Sequence, residues 1–289
     1  MQILKFLLFI CFLSGCNLLS PQKPTSVIQE ITDATGASVK ISIPSKKIVS
    51  CSSGITEGLY ALEKGDDIIA VTNDCSYLPQ VKKKERVGDK GNISIENLIR
   101  LSPELVLSMD GDIPAQTITN LRDMGITVFV LKKYATHKDI WENFRFLGMI
   151  TKSQGAAELN IVEADERIDA VAKNMKNPKP KVFWEIGNKP LTSVGIGSYA
   201  DTIIRLAGGE NIVRGKTEFP YYTVPAVIKN NPDVIILSNV PEKESLRWKQ
   251  IEFMSASQNN RIYSVDSRLL NVSTPLALAE AVEKVSAML

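Results

Sequence analysis

The sequence predicts an α/β protein of two lobes with parallel sheets, joined by a long rigid helix and preceded by a β-hairpin. Three observations lead there. Short aliphatic runs alternate with helical patterns along most of the chain, the order that parallel βαβ units produce. One proline-free stretch, 153–177, interrupts that alternation with a long amphipathic pattern. Finally, two segments flanking that stretch match each other: SIENLIRLSPELVL (94–107) lies over TVPAVIKNNPDVII (223–236), with Pro103 over Pro232. A weaker match, in the same order along the chain, sets LEKGDDII (62–69) over LAGGENIV (206–213).

In the joining stretch, Ala157, Ile161, Ala164, Ile168, Val171 and Met175 recur at spacings of four and three, one helical face. Leu159 and Val162 widen the stripe. Ser153 is placed to cap the start, Lys173 and Lys176 suit the negative end of the dipole, and Pro178 and Pro180 stop the helix. Some 22 residues at about 1.5 Å each give a rod of roughly 33 Å.

The other elements follow in order. Residues 27–43 alternate apolar and polar around Asp33-Ala34-Thr35-Gly36, a hairpin with a glycine turn. Strands are predicted at 47–51, 67–72, 105–108 and 128–131, with helices at 57–63, 95–101, 117–124 and 140–150. Beyond the joining helix, strands are predicted at 182–186, 234–237 and 262–265, with helices at 199–206, 224–229 and 276–288. The domain organisation expected is 27–151 for the first lobe, 152–178 for the connector and 179–289 for the second lobe.

Composition narrows the class. The 289 residues are 44% hydrophobic and 23% charged, as in ordinary globular proteins. A net charge of +2 with no arginine-rich segment gives no footing for nucleic acid. His137 is the single histidine, expected in a surface loop, so a His-based triad or zinc centre has little to work with. No GxSxG elbow, P-loop or GxGxxG in strand-helix context is present.

The N-terminus sets the compartment. MQILKFLLFICFLSGC has an apolar run too short to span a bilayer of about 30 Å, as a signal h-region does. Leu13-Ser14-Gly15-Cys16 resembles the lipobox of bacterial lipoproteins, which implies cleavage after residue 15 and a diacylated Cys16. Residues 17–26 then form a tether. Cys11 leaves with the signal. Cys51 and Cys75 remain in an oxidising compartment, as a disulfide or as two separate buried thiols.

ITDATGASVKISIPSKKIVS, TEGLYALEKGDDIIAVT, the Tyr77-Leu78-Pro79 loop, NISIENLIRLSPELVLS, GSYADTIIRLAGGENIV and NNPDVIIL together resemble the periplasmic binding proteins for iron chelates and cobalamin. The resemblance covers roughly 28–288. It implies two Rossmann-like lobes with a ligand between them, no cofactor of the protein's own, and delivery of the ligand to the permease and ATPase subunits of an ABC importer. The ligand implied is an iron–siderophore, a haem or a corrinoid.

Loops at the carboxyl ends of parallel strands are where such sheets bind ligands. The candidates there are Ser53, Asp74, Tyr77, Lys90 and Met109 in the first lobe and Trp184, Tyr199, Phe219, Tyr221, Tyr222 and Arg268 in the second. Aromatic faces suit a flat conjugated ligand; Lys90 and Arg268 suit anionic groups. Cobalamin-binding members place aromatics at the positions of Asp74, Lys90 and Met109, and only Phe219 keeps that character here. Such proteins also carry one transporter-docking glutamate per lobe. The first maps onto Glu96; the second maps onto Pro225, with Glu218 or Glu210 as nearby acids. The expectation is a monomeric, membrane-anchored binding lipoprotein. The alternatives are an extracytoplasmic α/β enzyme, which would need a reactive site, and a structural or adhesive lipoprotein, which would not explain paired lobes.

Overall fold

The computed structural model describes residues 26–289 apart from 216 and 271; Cys16, the signal segment and residues 17–25 of the tether lie outside them. β1 (Val27–Thr32) and β2 (Ser38–Ile43) form the antiparallel hairpin, Val27 opposite Ile43 and Thr32 opposite Ser38. Gly36 turns the chain at φ +83°, a region glycine enters without steric cost. The hairpin is pinned to the lobe by Asp33. Its carboxylate accepts the Val130 N–H at 3.0 Å and pairs with Arg122 at 2.5 Å.

The first lobe comprises β3 (Ile48–Ser50), α1 (Ser53–Ala61), β4 (Ile68–Val71), β5 (Glu85–Arg86), the small ribbon β6 (Gly88–Asp89) and β7 (Asn92–Ile93), α2 (Ile95–Leu101), β8 (Leu105–Met109), α3 (Ala115–Asp123) and β9 (Val128–Leu131). Its sheet runs β5-β4-β3-β8-β9 with every pair parallel. α4 (His137–Ile150) leads into the connecting helix α5 (Gln154–Ala172). The second lobe has β10 (Lys181–Asn188), β11 (Leu191–Ser193), α6 (Tyr199–Leu206), β12 (Glu210–Asn211), α7 (Val224–Asn230), β13 (Val234–Leu237), α8 (Lys243–Lys249), α9 (Ser255–Gln258), β14 (Ile262–Ser264) and α10 (Pro275–Ser286). There β10, β13 and β14 are parallel neighbours, with antiparallel β11 on the far side of β10.

Strand alternation sorts each sheet into two faces. Leu105, Leu107 and Met109 of β8 and Trp184 and Ile236 of β10 and β13 belong to one core that runs through both lobes, together with α1, α4, α5, α6 and α10. Val49, Val106 and Val128 turn to a separate core under α2 and α3. Phe183, Ile235 and Trp248 turn to another under α7 and α8. A period of two in each buried strand therefore builds three cores from two sheets.

The matched segments are true structural counterparts. Ser94 caps α2 by accepting the Asn97 N–H, and Thr223 caps α7 by accepting the Ala226 N–H. Both helices end on a left-handed residue, Ser102 at φ 45° and Asn231 at φ 45°. Each then enters a central strand.

α5 is shorter than its pattern predicts. It ends at Ala172, and the chain leaves through a turn in which Asn174 N–H donates to Val171 O. Ala157, Ile161, Ala164 and Ile168 are buried, but Leu159 and Val162 are 72% and 52% exposed. One face alone is covered by neighbouring helices, so the wider stripe stays in water. Ser153 takes the N-cap position, but its side chain makes no capping bond; its hydroxyl meets that of Thr151 at 2.7 Å. His137 opens α4 instead of lying in a loop, because Asp139 accepts the Thr136 N–H at 2.7 Å and starts the helix there. Its ring sits edge-on to Trp141 with centroids 5.7 Å apart.

Candidate functional site

In the first sheet, β4 and β5 lie on one side of β3, while β8 and β9 lie on the other. The order reverses between β3 and β8, and a crevice forms at that point outside their carboxyl ends. A cavity of about 510 Å³ opens there, between the lobes. Ser52, Ser53 and Gly54 follow β3, Met109 ends β8 with Asp110 to Asp112 after it, and Lys133 and Tyr134 follow β9. The opposite wall is Tyr199 from α6, Glu218, Leu270, Val272 and Ser273.

The lobes approach closely at the floor. A methyl group on Gly54 would lie 3.0 Å from the Ser273 Cβ and 3.4 Å from the Tyr134 hydroxyl, so a side chain there would press the second lobe outward. Ser273 donates its hydroxyl to the Glu57 carboxylate of α1, a link between lobes. At the rim, Lys133 pairs with Glu218 at 3.0 Å across the cleft.

Lys90 is held between two carboxylates, 3.3 Å from Asp74 and 3.2 Å from Asp112. Burial alone would lower its pKa, and the two acids overcome this and raise it. Lys90 therefore stays charged. Burial lifts the Asp112 carboxyl above the ordinary carboxylate range against the pull of Lys90. One Asp112 oxygen, Oδ2, is buried with no hydrogen-bond partner, and so is the Tyr199 hydroxyl. Asp74 is fixed below, accepting from the Thr72 hydroxyl and, at 3.2 Å, from the Ser53 N–H.

Four of the residues singled out in the sequence line this cavity: Ser53, Lys90, Met109 and Tyr199. Asp74 reaches it through Lys90. The others are elsewhere, each for a physical reason. Trp184 faces the shared core, fully buried, and donates its indole N–H to the Ser238 hydroxyl at 2.9 Å. Tyr222 is packed against Phe183, with ring centroids 5.8 Å apart. Phe219 and Tyr221 are 52% and 76% exposed beside Glu218, outside the lining. Tyr77 donates to Glu57 at 2.5 Å. Arg268 pairs with Asp266 at 2.6 Å, in a second groove of about 730 Å³ between α1 and α10 that meets this cavity at Val272.

Cys51 and Cys75 are both free and buried. They lie in different cores on opposite faces of the first sheet, so a bridge between them does not form. Sequence reasoning missed Lys133, Tyr134 and Ser273. The first two were findable, because they follow the predicted strand at 128–131 by the same carboxyl-end rule. Ser273 carried no signal of its own, since only packing brings it to Gly54.

Two α/β lobes bridged by a helix, with a cavity between them at the strand ends, define a binding protein of the extracytoplasmic solute-receptor class. Residues 48–269 match the periplasmic binding protein family, and the chain belongs to it. It is 28% identical to the ABC transporter substrate-binding lipoprotein YvrC of Bacillus subtilis, over 97% of this chain and 93% of that one. The structure of the vitamin B12 binding protein BtuF of Vibrio cholerae superposes with a TM-score of 0.72 at 27% identity, covering 85% of this chain and 97% of that one. The haem-binding protein HutB of Vibrio cholerae shares the fold, with a TM-score of 0.74 at 22% identity over 84% of this chain and 98% of that one. The family is one of substrate-binding proteins and not of enzymes.

Proposed function

We propose that this protein is a monomeric extracytoplasmic lipoprotein that captures a metal chelate between its lobes and hands it to the permease and ATPase of an ABC importer. The chelate is a corrinoid, a haem or an iron–siderophore. Cys16 carries the lipid that holds the protein at the membrane. The observation behind this reading is the cavity at the β3/β8 switch point, open between lobes that share one core. Ser53, Lys90, Met109 and Tyr199 contact the ligand, and Glu96, exposed in the first turn of α2, meets the transporter. The protein binds without turnover.

Protein purified from its native host tests this directly. Absorbance and mass spectrometry of the purified sample should reveal a bound metal chelate, released on denaturation with its mass unchanged. A metal-free ligand, or one converted during incubation, would overturn the reading. For the anchor, Cys16→Ser should move the protein from the membrane fraction to the soluble one.

A further inference from the structure

The charges around the cleft are unevenly matched. Both lysines in its lining are already engaged, Lys90 by Asp74 and Asp112 and Lys133 by Glu218. Asp110 adds a negative charge with no ion-pair partner among the described residues of the lining. Lys90 can neutralise only one of the two carboxylates that hold it. Among the described residues of the lining, an anionic ligand would therefore meet acids without an uncommitted cation, while burial strengthens every such interaction.

Two polar groups are also left open, one a carboxylate oxygen that can only accept and the other a phenol hydroxyl that can accept or donate. Asp112 Oδ2 is buried and unpartnered. Tyr199, on the opposite wall, is 9% exposed, and its hydroxyl likewise has no partner. Leaving such groups unmet is unfavourable, so a cavity lined by both is completed by a ligand that supplies hydrogen-bond donors, to the Asp112 oxygen above all.

Building on the chelate-binding reading above, we infer that the cleft selects a chelate that is neutral or cationic overall and presents N–H donors. Asp112 is the residue that reads those donors, with Tyr199 meeting the same ligand from the second lobe. Primary amides on a macrocycle and a free ammonium on a siderophore both supply this chemistry. A chelate whose periphery is carboxylate does not.

Three probes separate these cases: cyanocobalamin, uncharged and rich in amides; a ferric trihydroxamate bearing an ammonium group; and haemin, which presents two carboxylates. Intrinsic fluorescence titration of the wild type should show at least one of the first two binding at least tenfold more tightly than haemin. The probe that binds identifies which N–H source the cleft takes. Asp112→Asn, which keeps the volume and removes the charge, should weaken that probe about tenfold and narrow its advantage over haemin. Lys90→Met should weaken haemin further. Thermal melts of both variants check that each is folded. Tighter binding of haemin than of both other probes, or unchanged affinities in a folded Asp112→Asn, would overturn the inference and leave the receptor reading standing. Failure of every chelate to bind would remove the chelate reading itself, and the inference with it.

Discussion

Glu96 and Pro225 occupy the same place, the second residue, in two helices that the fold repeats. Both are exposed, both follow a Ser/Thr cap, and each helix leads into a central strand of its lobe. The lobes thus present matching surfaces with a carboxylate on one and a pyrrolidine ring on the other. The nearby acids do not restore the symmetry, because Glu218 is paired with Lys133 and Glu210 with Arg214.

From this asymmetry, Glu96→Ala should reduce uptake sharply in a reconstituted importer while changing ligand affinity less than a few-fold. Losing one partner of a desolvated charge pair costs about 2–5 kcal/mol. Uptake equal to wild type would remove the docking role, and loss of ligand affinity would place Glu96 in the binding site.

The lobes should move little on loading. One core is continuous from Ile41 through α4, α5 and α10 to Leu289. Arg167 of α5 clamps Glu283 of α10 through two bonds of 2.9 and 2.6 Å. α5 has no proline, and its one glycine, Gly155, lies in the first turn, so no interior hinge exists. Scattering curves of free and loaded protein should nearly superimpose; a marked compaction would contradict a rigid connector.

Asp33 makes the hairpin's attachment dependent on acid. Burial pushes its carboxyl up, but hydrogen bonds from Thr35, Val130 and Arg122 outweigh that and lower it below its ordinary value of 3.8. A depressed pKa stabilises the fold above the unfolded value, and that stabilisation is lost as pH falls through the folded value. Asp33→Ala should cost about 2–3 kcal/mol at neutral pH in urea unfolding. The difference from wild type should shrink as pH drops below about 4.

Cys51 and Cys75 should remain reduced in the folded protein although the compartment is oxidising. They sit on opposite sheet faces, and burial raises both thiols above their ordinary pKa. A thiol reagent should label neither under native conditions and both in denaturant. An intact mass two hydrogens lighter than the reduced chain would show the opposite.

Much of the fold is legible because its elements are locally consistent. The helices 95–101 and 199–206 and the strands 128–131 and 234–237 match the predicted boundaries, since caps, glycines and aliphatic runs mark them within a few residues. The short helix Lys243–Lys249 was not legible. KESLRWK has no strong cap, and it is held by Trp248, whose indole N–H donates to the buried Glu185 carboxylate from across the lobe. Trp184 shows the same limit at the site. Its neighbours mark a strand, but which face it takes depends on the pleat register within the assembled sheet.

By itself, the sequence determined the two-lobed α/β class, the hairpin, the connecting helix and the repeat that sets Glu96 opposite Pro225, because these follow from periodicity, caps and spacing along a few residues of chain. Tertiary structure alone decided which side chains reach the cleft. It brought Lys90 between Asp74 and Asp112, set Ser273 against Gly54, and turned Trp184 and Tyr222 away into cores. Those outcomes rest on contacts between residues far apart in the chain, and no local pattern encodes a distance that only packing creates.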